Sequence, residues 1–171
     1  MGSRQGRLLT GRAAPGSKEE VESWDANVVA SLQSCTAGRG KAHGIAEAAV
    51  LAGTLKGNIV CTLNSRCRRD YSAEDCQQLA RFVAFTDLHL RQGHRVVVHC
   101  RQGQHRTGVA IYLVLRSMAE EPAQCLSLMK EMRPAMHKEL LLKTKYRHLI
   151  DKAETIFESP EFRAGLTVTV A

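Results

Sequence analysis

A chain of 171 residues with 44% hydrophobic and 24% charged side chains has the size and balance of one soluble globular domain. No apolar run is long enough to span a bilayer. The opening Met1-Gly2-Ser3-Arg4-Gln5-Gly6 has neither the hydrophobic stretch of a secretory signal nor the hydroxyl of a myristoylation site, so a cytoplasmic or nuclear protein is expected. The net charge of +7 suits an anionic partner, while aromatics at 5%, with no basic stretch interleaving them, argue against nucleic-acid stacking.

In chain order, residues 1–6 read as a loose tail. A short strand is expected over Arg7–Thr10, a helix over Lys18–Trp24 and a buried strand over Asn27–Leu32, carried by Val28-Val29-Ala30. Gly38–Gly44 reads as loop, Ile45–Leu55 as helix and Asn58–Leu63 as a second buried strand. After a basic loop, Arg66–Tyr71, Ser72 is placed to cap a helix with Glu74 and Asp75 in its first turn, ending at Gly93. Arg95–His99 carries three consecutive valines and reads as strand. Helices are expected over Thr107–Met118, Pro122–Met132 and Glu139–Phe157, with Pro122 in a first turn and Pro134 ending the helix before it. The Thr-Val-Thr-Val alternation near the end suits either an added strand or a loose tail, which bounds the domain at 7–158 and leaves 159–171 outside it.

Strands of continuous apolar residues alternating with helices predict an α/β single domain. Its mostly parallel sheet has about four or five strands, with helices on both faces. Ligands bind beyond the carboxyl ends of strands in such sheets, which directs attention to the loop after Val98.

That loop reads His99-Cys100-Arg101-Gln102-Gly103-Gln104-His105-Arg106-Thr107-Gly108. A cysteine ends a buried strand and an arginine opens a helix six residues later. The N–H groups of such a loop, at Arg101, Gln102, Gly103, Gln104, His105 and Arg106, can cradle a phosphate, and the helix dipole adds to the same spot. Gly103 supplies backbone freedom, and Arg106 can grip two phosphate oxygens as lysine cannot. The same field lowers a thiol below its free value of about 8.5, making Cys100 a nucleophile that needs no metal and no cofactor. Thr107 can offer its hydroxyl to the departing sulfur, and His99 orients the loop. A lone cysteine ending an apolar strand is ordinarily inert packing; the arginine and the Thr-Gly at the helix start overrule that here.

The segment resembles the His-Cys-x5-Arg-Thr/Ser signature of the protein tyrosine phosphatase superfamily. The order of elements from Arg7 to Phe157, Leu8-Leu9-Thr10-Gly11 and Met132-Arg133-Pro134 resemble its small, atypical dual-specificity branch. The resemblance implies a phosphocysteine intermediate and an Asp general acid on a loop ahead of the helix that precedes the nucleophile. Asp70 lies in that place. Asp75 is the rival, better explained by capping, and Asp87 falls inside the helix. The Trp-Pro-Asp motif of phosphotyrosine-only members is absent, and Trp24 is remote in sequence.

Arg66, Arg68 and Arg69 either attract a second anionic group or form a solvated loop. The run Gly-x-His-Arg-Thr-Gly resembles the branch that cleaves inositol pyrophosphates, although Gln102 and Gln104 stand where that branch has cations. The six cysteines, at 35, 61, 67, 76, 100 and 125, include no Cys-x-x-Cys pair, so no zinc site is expected. Cys61 either packs in the core or forms a reversible disulfide with Cys100, as in some relatives. The expected activity is hydrolysis of phosphotyrosine, phosphoserine or phosphothreonine in proteins. Phosphoinositides or inositol (pyro)phosphates, the 5′ triphosphate of RNA, and a phosphate-reading module without turnover are the alternatives.

Overall fold

The computed structural model describes residues 9–13, 15–34, 41–63 and 71–168. Four strands lie among them, β1 (Leu9–Arg12), β2 (Val28–Ser34), β3 (Gly57–Leu63) and β4 (Val96–His99), the last three carried by paired or tripled β-branched residues. All neighbours are parallel, in the order β1-β4-β2-β3. From β2 the chain moves outward to β3 and then returns to the other side of β2 to lay down β4. The crevice at that reversal, beyond the carboxyl ends of β2 and β4, is where parallel sheets hold ligands.

Eight helices are described: α1 (Lys18–Ser23), α2 (Lys41–Leu51), α3 (Ala73–Arg91), α4 (His105–Ser117), α5 (Pro122–Met132), α6 (Pro134–Leu142), α7 (His148–Glu158) and α8 (Pro160–Val168). Alternation along β2 divides them between the two faces. Val29 points to a small core with Val21 of α1, Ala46 and Ala49 of α2, and Leu55. Val28, Ala30 and Leu32 point to the larger core with Val96, Val98 and the buried faces of α3 to α8. The central strand β4 and Val28–Leu32 of β2 are buried on both sides, which is why their sequences read as continuous apolar runs.

Helix α3 begins with the expected capping box. Asp75 N–H donates to Ser72 Oγ at 3.1 Å, and Ser72 N–H donates to Asp75 Oδ2 at 3.2 Å. Asp75 is fully buried in this role. Asp87 pairs with Arg91 one turn on, at 2.7 Å.

Three expectations are corrected. Lys41–Gly44, assigned to loop, belong to the first turn of α2, so that helix starts and ends earlier than Ile45–Leu55. The single helix expected over Glu139–Phe157 is two, because the buried positions Met136 and Leu140 of α6 are out of phase with Leu149, Ile150, Ala153 and Ile156 of α7. Residues 143–147 between them are polar or basic apart from Tyr146, and Pro134 starts a helix as well as following one.

The third correction concerns the segment after Pro160, expected as strand or loose tail. It is helix as far as Val168, started by Ser159 Oγ, which accepts from Phe162 N–H at 3.2 Å. Phe162 is fully buried in the main core. Gly165 lets α8 approach α3, since a Cβ there would lie 2.6 Å from that of Ala80. Thr167 and Val168 of the alternation fall in this helix, and Thr169 and Val170 lie outside the described residues.

Helix α4 carries the loop of interest on its first turn. It is held at its far end by Glu154 of α7, which accepts from Tyr112 Oη at 2.5 Å and from Arg116 Nε at 2.7 Å.

Candidate active site

Cys100 follows directly on β4 and is 4% exposed. The loop it opens turns at Gly103, whose φ is +65°. A side chain there would collide with the carbonyl of Arg12 at the end of β1 and with the guanidinium of Arg133. Glycine is therefore required twice over, by conformation and by space. Arg133, between α5 and α6, donates from Nη1 to the Gly103 carbonyl and ties the loop from outside.

Helix α4 begins at His105 with no side-chain cap on it. In its first turn the Thr107 N–H is directed at the Cys100 sulfur. Burial is the largest single influence on the Cys100 thiol and raises its pKa. It is outweighed by the Thr107 hydroxyl and N–H, the charge of Arg106 and the N–H of Gln102, and the net shift is downward. Thr107 Oγ1 is itself buried without a completed hydrogen bond, and a thiolate beside it is a suitable acceptor.

Every other described cysteine shifts the opposite way. Burial pushes Cys61 and Cys125 up to about 12, and it also raises Cys76. A pocket of about 230 Å³ opens over Cys100, walled by Arg101, Gln102, His105 and Arg106. Arg106 Nη1 donates to the Leu32 carbonyl at 3.2 Å, which anchors the guanidinium at the end of β2.

His99 is 2% exposed, and its Nε2 lies 2.6 Å from Ser31 Oγ of the adjacent strand. Burial lowers its pKa to about 4, with partial opposition from a hydrogen bond with the Cys100 backbone. A neutral imidazole fixed in this way can orient the strand end rather than carry protons. Trp24, remote from the loop in sequence, places its ring 6.0 Å from that of His99.

The fold therefore brings together His99, Cys100, Arg101, Gln102, Gly103, Gln104, His105, Arg106 and Thr107. Asp70 lies outside the described residues, as do Arg66, Arg68, Arg69, Cys35 and Cys67. Asp75 is committed to its cap. Cys61 pairs in register with Leu32, and Ser31 with His99, so Cys61 and Cys100 stand about two strand spacings, or roughly 9.5 Å, apart. A disulfide across that distance requires backbone movement. Ser31, Trp24 and the hold of Arg133 on Gly103 had no reading from sequence beyond the Arg-Pro likeness at Arg133.

Comparison with known proteins adds three findings. Residues 59–118, from β3 through α4, match the family model Tc-R-P, described as a polymorphic toxin system DSP-PTPase phosphatase. The fold is similar to the crystal structure of a glycine-to-alanine mutant form of Tk-PTP, with a TM-score of 0.57 at 14% identity over 95% of this chain and 91% of that one. It is also similar to Tk-PTP in the active form, with a TM-score of 0.54 at 15% identity over 86% of this chain and 90% of that one. No curated protein sequence matches the chain. The fold is thus similar to that of Tk-PTP, and the segment that holds the Cys-x5-Arg loop is similar to the DSP-PTPase phosphatase family model.

Proposed function

We propose that this phosphatase domain hydrolyses phosphate monoesters through a phosphocysteine intermediate, with phosphotyrosine, phosphoserine or phosphothreonine of proteins as substrates. The observation that carries this reading is the contrast among thiols: of the four described cysteines, Cys100 alone has its pKa lowered. It also stands at the mouth of a loop whose N–H groups and Arg106 suit a dianion.

In the first step the Cys100 thiolate attacks phosphorus. An S–P bond forms, the bond from phosphorus to the ester oxygen breaks, and that oxygen leaves with a proton donated by Asp70. Arg106 grips two of the equatorial oxygens, and loop N–H groups receive the rest. In the second step water attacks the same phosphorus and gives its proton to the Asp70 carboxylate left by the first step. The S–P bond breaks, inorganic phosphate leaves, and the Thr107 hydroxyl stabilises the returning thiolate.

Hydrolysis of para-nitrophenyl phosphate in the presence of a chelator tests the chemistry. A panel of phosphotyrosine and phosphoserine peptides, phosphoinositides and inositol phosphates then tests the substrate class. Cys100→Ser is expected to abolish turnover while still binding phosphate. Substantial activity in that variant refutes the mechanism. Binding without turnover in the parent chain leaves a phosphate reader.

A further inference from the structure

Beside the Cys100 thiol, His105 is the titratable wall of the pocket. Its ring stacks on Tyr146, with centroids 3.7 Å apart and planes at 31°. Its Nε2 lies 3.5 Å from Glu139 Oε1 of α6, with only 15% and 12% of the two side chains exposed. The other oxygen of Glu139 takes Lys143 Nζ at 2.5 Å. The hydrogen bond from Lys143 is the largest influence holding the Glu139 carboxyl below its usual range, and His105 contributes in the same direction. The same imidazole lines the pocket with Cys100, Arg101, Gln102 and Arg106.

We propose that the His105 side chain is a phosphate-binding group whose positive charge is sustained by Glu139, so that the pocket takes up a proton together with the dianion it binds. The proposal rests on the phosphatase reading of this pocket and assigns a role to the His105 side chain, where the loop chemistry so far uses only that residue's backbone N–H. Several charges bear on the ring. Glu139 approaches from α6, and Lys143 is the residue that follows that helix. Tyr146, with Lys145 Nζ 5.5 Å from its ring centroid, comes from the turn after α6, and Arg106, Arg101 and Cys100 belong to the loop itself. In the empty pocket Arg106 and Lys143 oppose an imidazolium while Glu139 favours it. A bound dianion offsets Arg106 and turns the balance toward protonation. Tyr146 fixes the plane of the ring, so the charge appears where the anion sits. His105 is thus a specificity element for doubly charged groups, and its effect falls on KM more than on kcat.

Sulfate isolates this effect because its charge does not change across the working range. Its binding to the Cys100→Ser form, where no thiol titrates in the pocket, can be followed by calorimetry in two buffers of different ionisation enthalpy. Proton uptake should accompany binding near neutral pH, and affinity should fall on the order of ten-fold between about pH 5.5 and pH 8.5. Adding His105→Gln should abolish the uptake while keeping the weaker high-pH affinity, and Glu139→Gln should move the transition to lower pH. Uptake that persists in His105→Gln, or is absent beforehand, overturns the proposal. No sulfate binding at any pH overturns the phosphate-pocket reading and this proposal with it. Should His105→Gln fail to fold, the histidine NMR signals of the Cys100→Ser form decide. The imidazole that moves with Tyr146→Leu must titrate at higher pH with sulfate bound, and an unchanged midpoint refutes the idea.

Discussion

Gly103→Ala separates the two reasons for glycine at the turn of the loop, and Gly93→Ala supplies the baseline. Both glycines have positive φ, +65° and +77°. A Cβ at Gly93 meets nothing within 4 Å, so that change should cost only the left-handed penalty of about 1 kcal/mol. A Cβ at Gly103 would run into the Arg12 carbonyl, which is backbone and cannot rotate away, and into Arg133. Overpacking of that kind adds about 1–3 kcal/mol. In a chain of this length each 1 kcal/mol moves Tm by about 2–4 °C. Gly93→Ala should therefore lower Tm by about 3 °C and leave kcat/KM intact. Gly103→Ala should either lose about twice that or more, or relieve the clash by moving the loop away from Arg12. In that second case Arg133 loses the Gly103 carbonyl and kcat/KM falls on the order of a hundred-fold, as misplaced catalytic groups do. Thermal unfolding and para-nitrophenyl phosphate turnover of both variants give the answer. Parallel behaviour of the two variants in Tm and in kcat/KM refutes the packing argument.

Iodoacetate at about pH 6 should alkylate Cys100 ahead of the other cysteines, and vanadate should protect it; uniform labelling would mean the loop does not favour a thiolate. Asp70→Asn should lower kcat by about a hundred-fold or more on alkyl phosphates and less where the leaving group is a weak base. Asp75→Asn should instead cost about 1 kcal/mol of stability through the cap, with no leaving-group dependence; the reverse pattern would transfer the acid role to Asp75. His99 is held at about 4, below an unfolded value near 6.5. Between those limits the unfolded chain binds the extra proton, so unfolding free energy should fall as pH drops from about 6.5 to about 4. Denaturant titrations should show His99→Gln flattening that slope, and an unaltered slope would mean His99 is not the buried neutral group.

The local features of this protein were legible because their causes are local. Three valines ending in His99-Cys100 make a strand end, Thr107-Gly108 lies in the first turn of a helix, and Arg101–Gln104 have no room to be anything but a loop. Ser72 and Asp75 declare a helix start because both partners of the cap lie within one turn. Short β-branched runs between helices likewise imply the parallel sheet. Phase was harder to read: Leu140, Leu141 and Leu142 disguised the break between α6 and α7, and the helix begun at Ser159 was hidden by a four-residue alternation. What only the tertiary structure decided joins residues far apart in the chain. Ser31 reaches His99 because β4 is laid beside β2, Arg133 reaches Gly103 from between α5 and α6, and Glu139 with Tyr146 closes on His105. Propensity and periodicity act over a few residues and carry no information about which strand will neighbour which. The order β1-β4-β2-β3 is set by how the helices cover both faces of the sheet, and these long-range contacts around the Cys100 pocket follow from it.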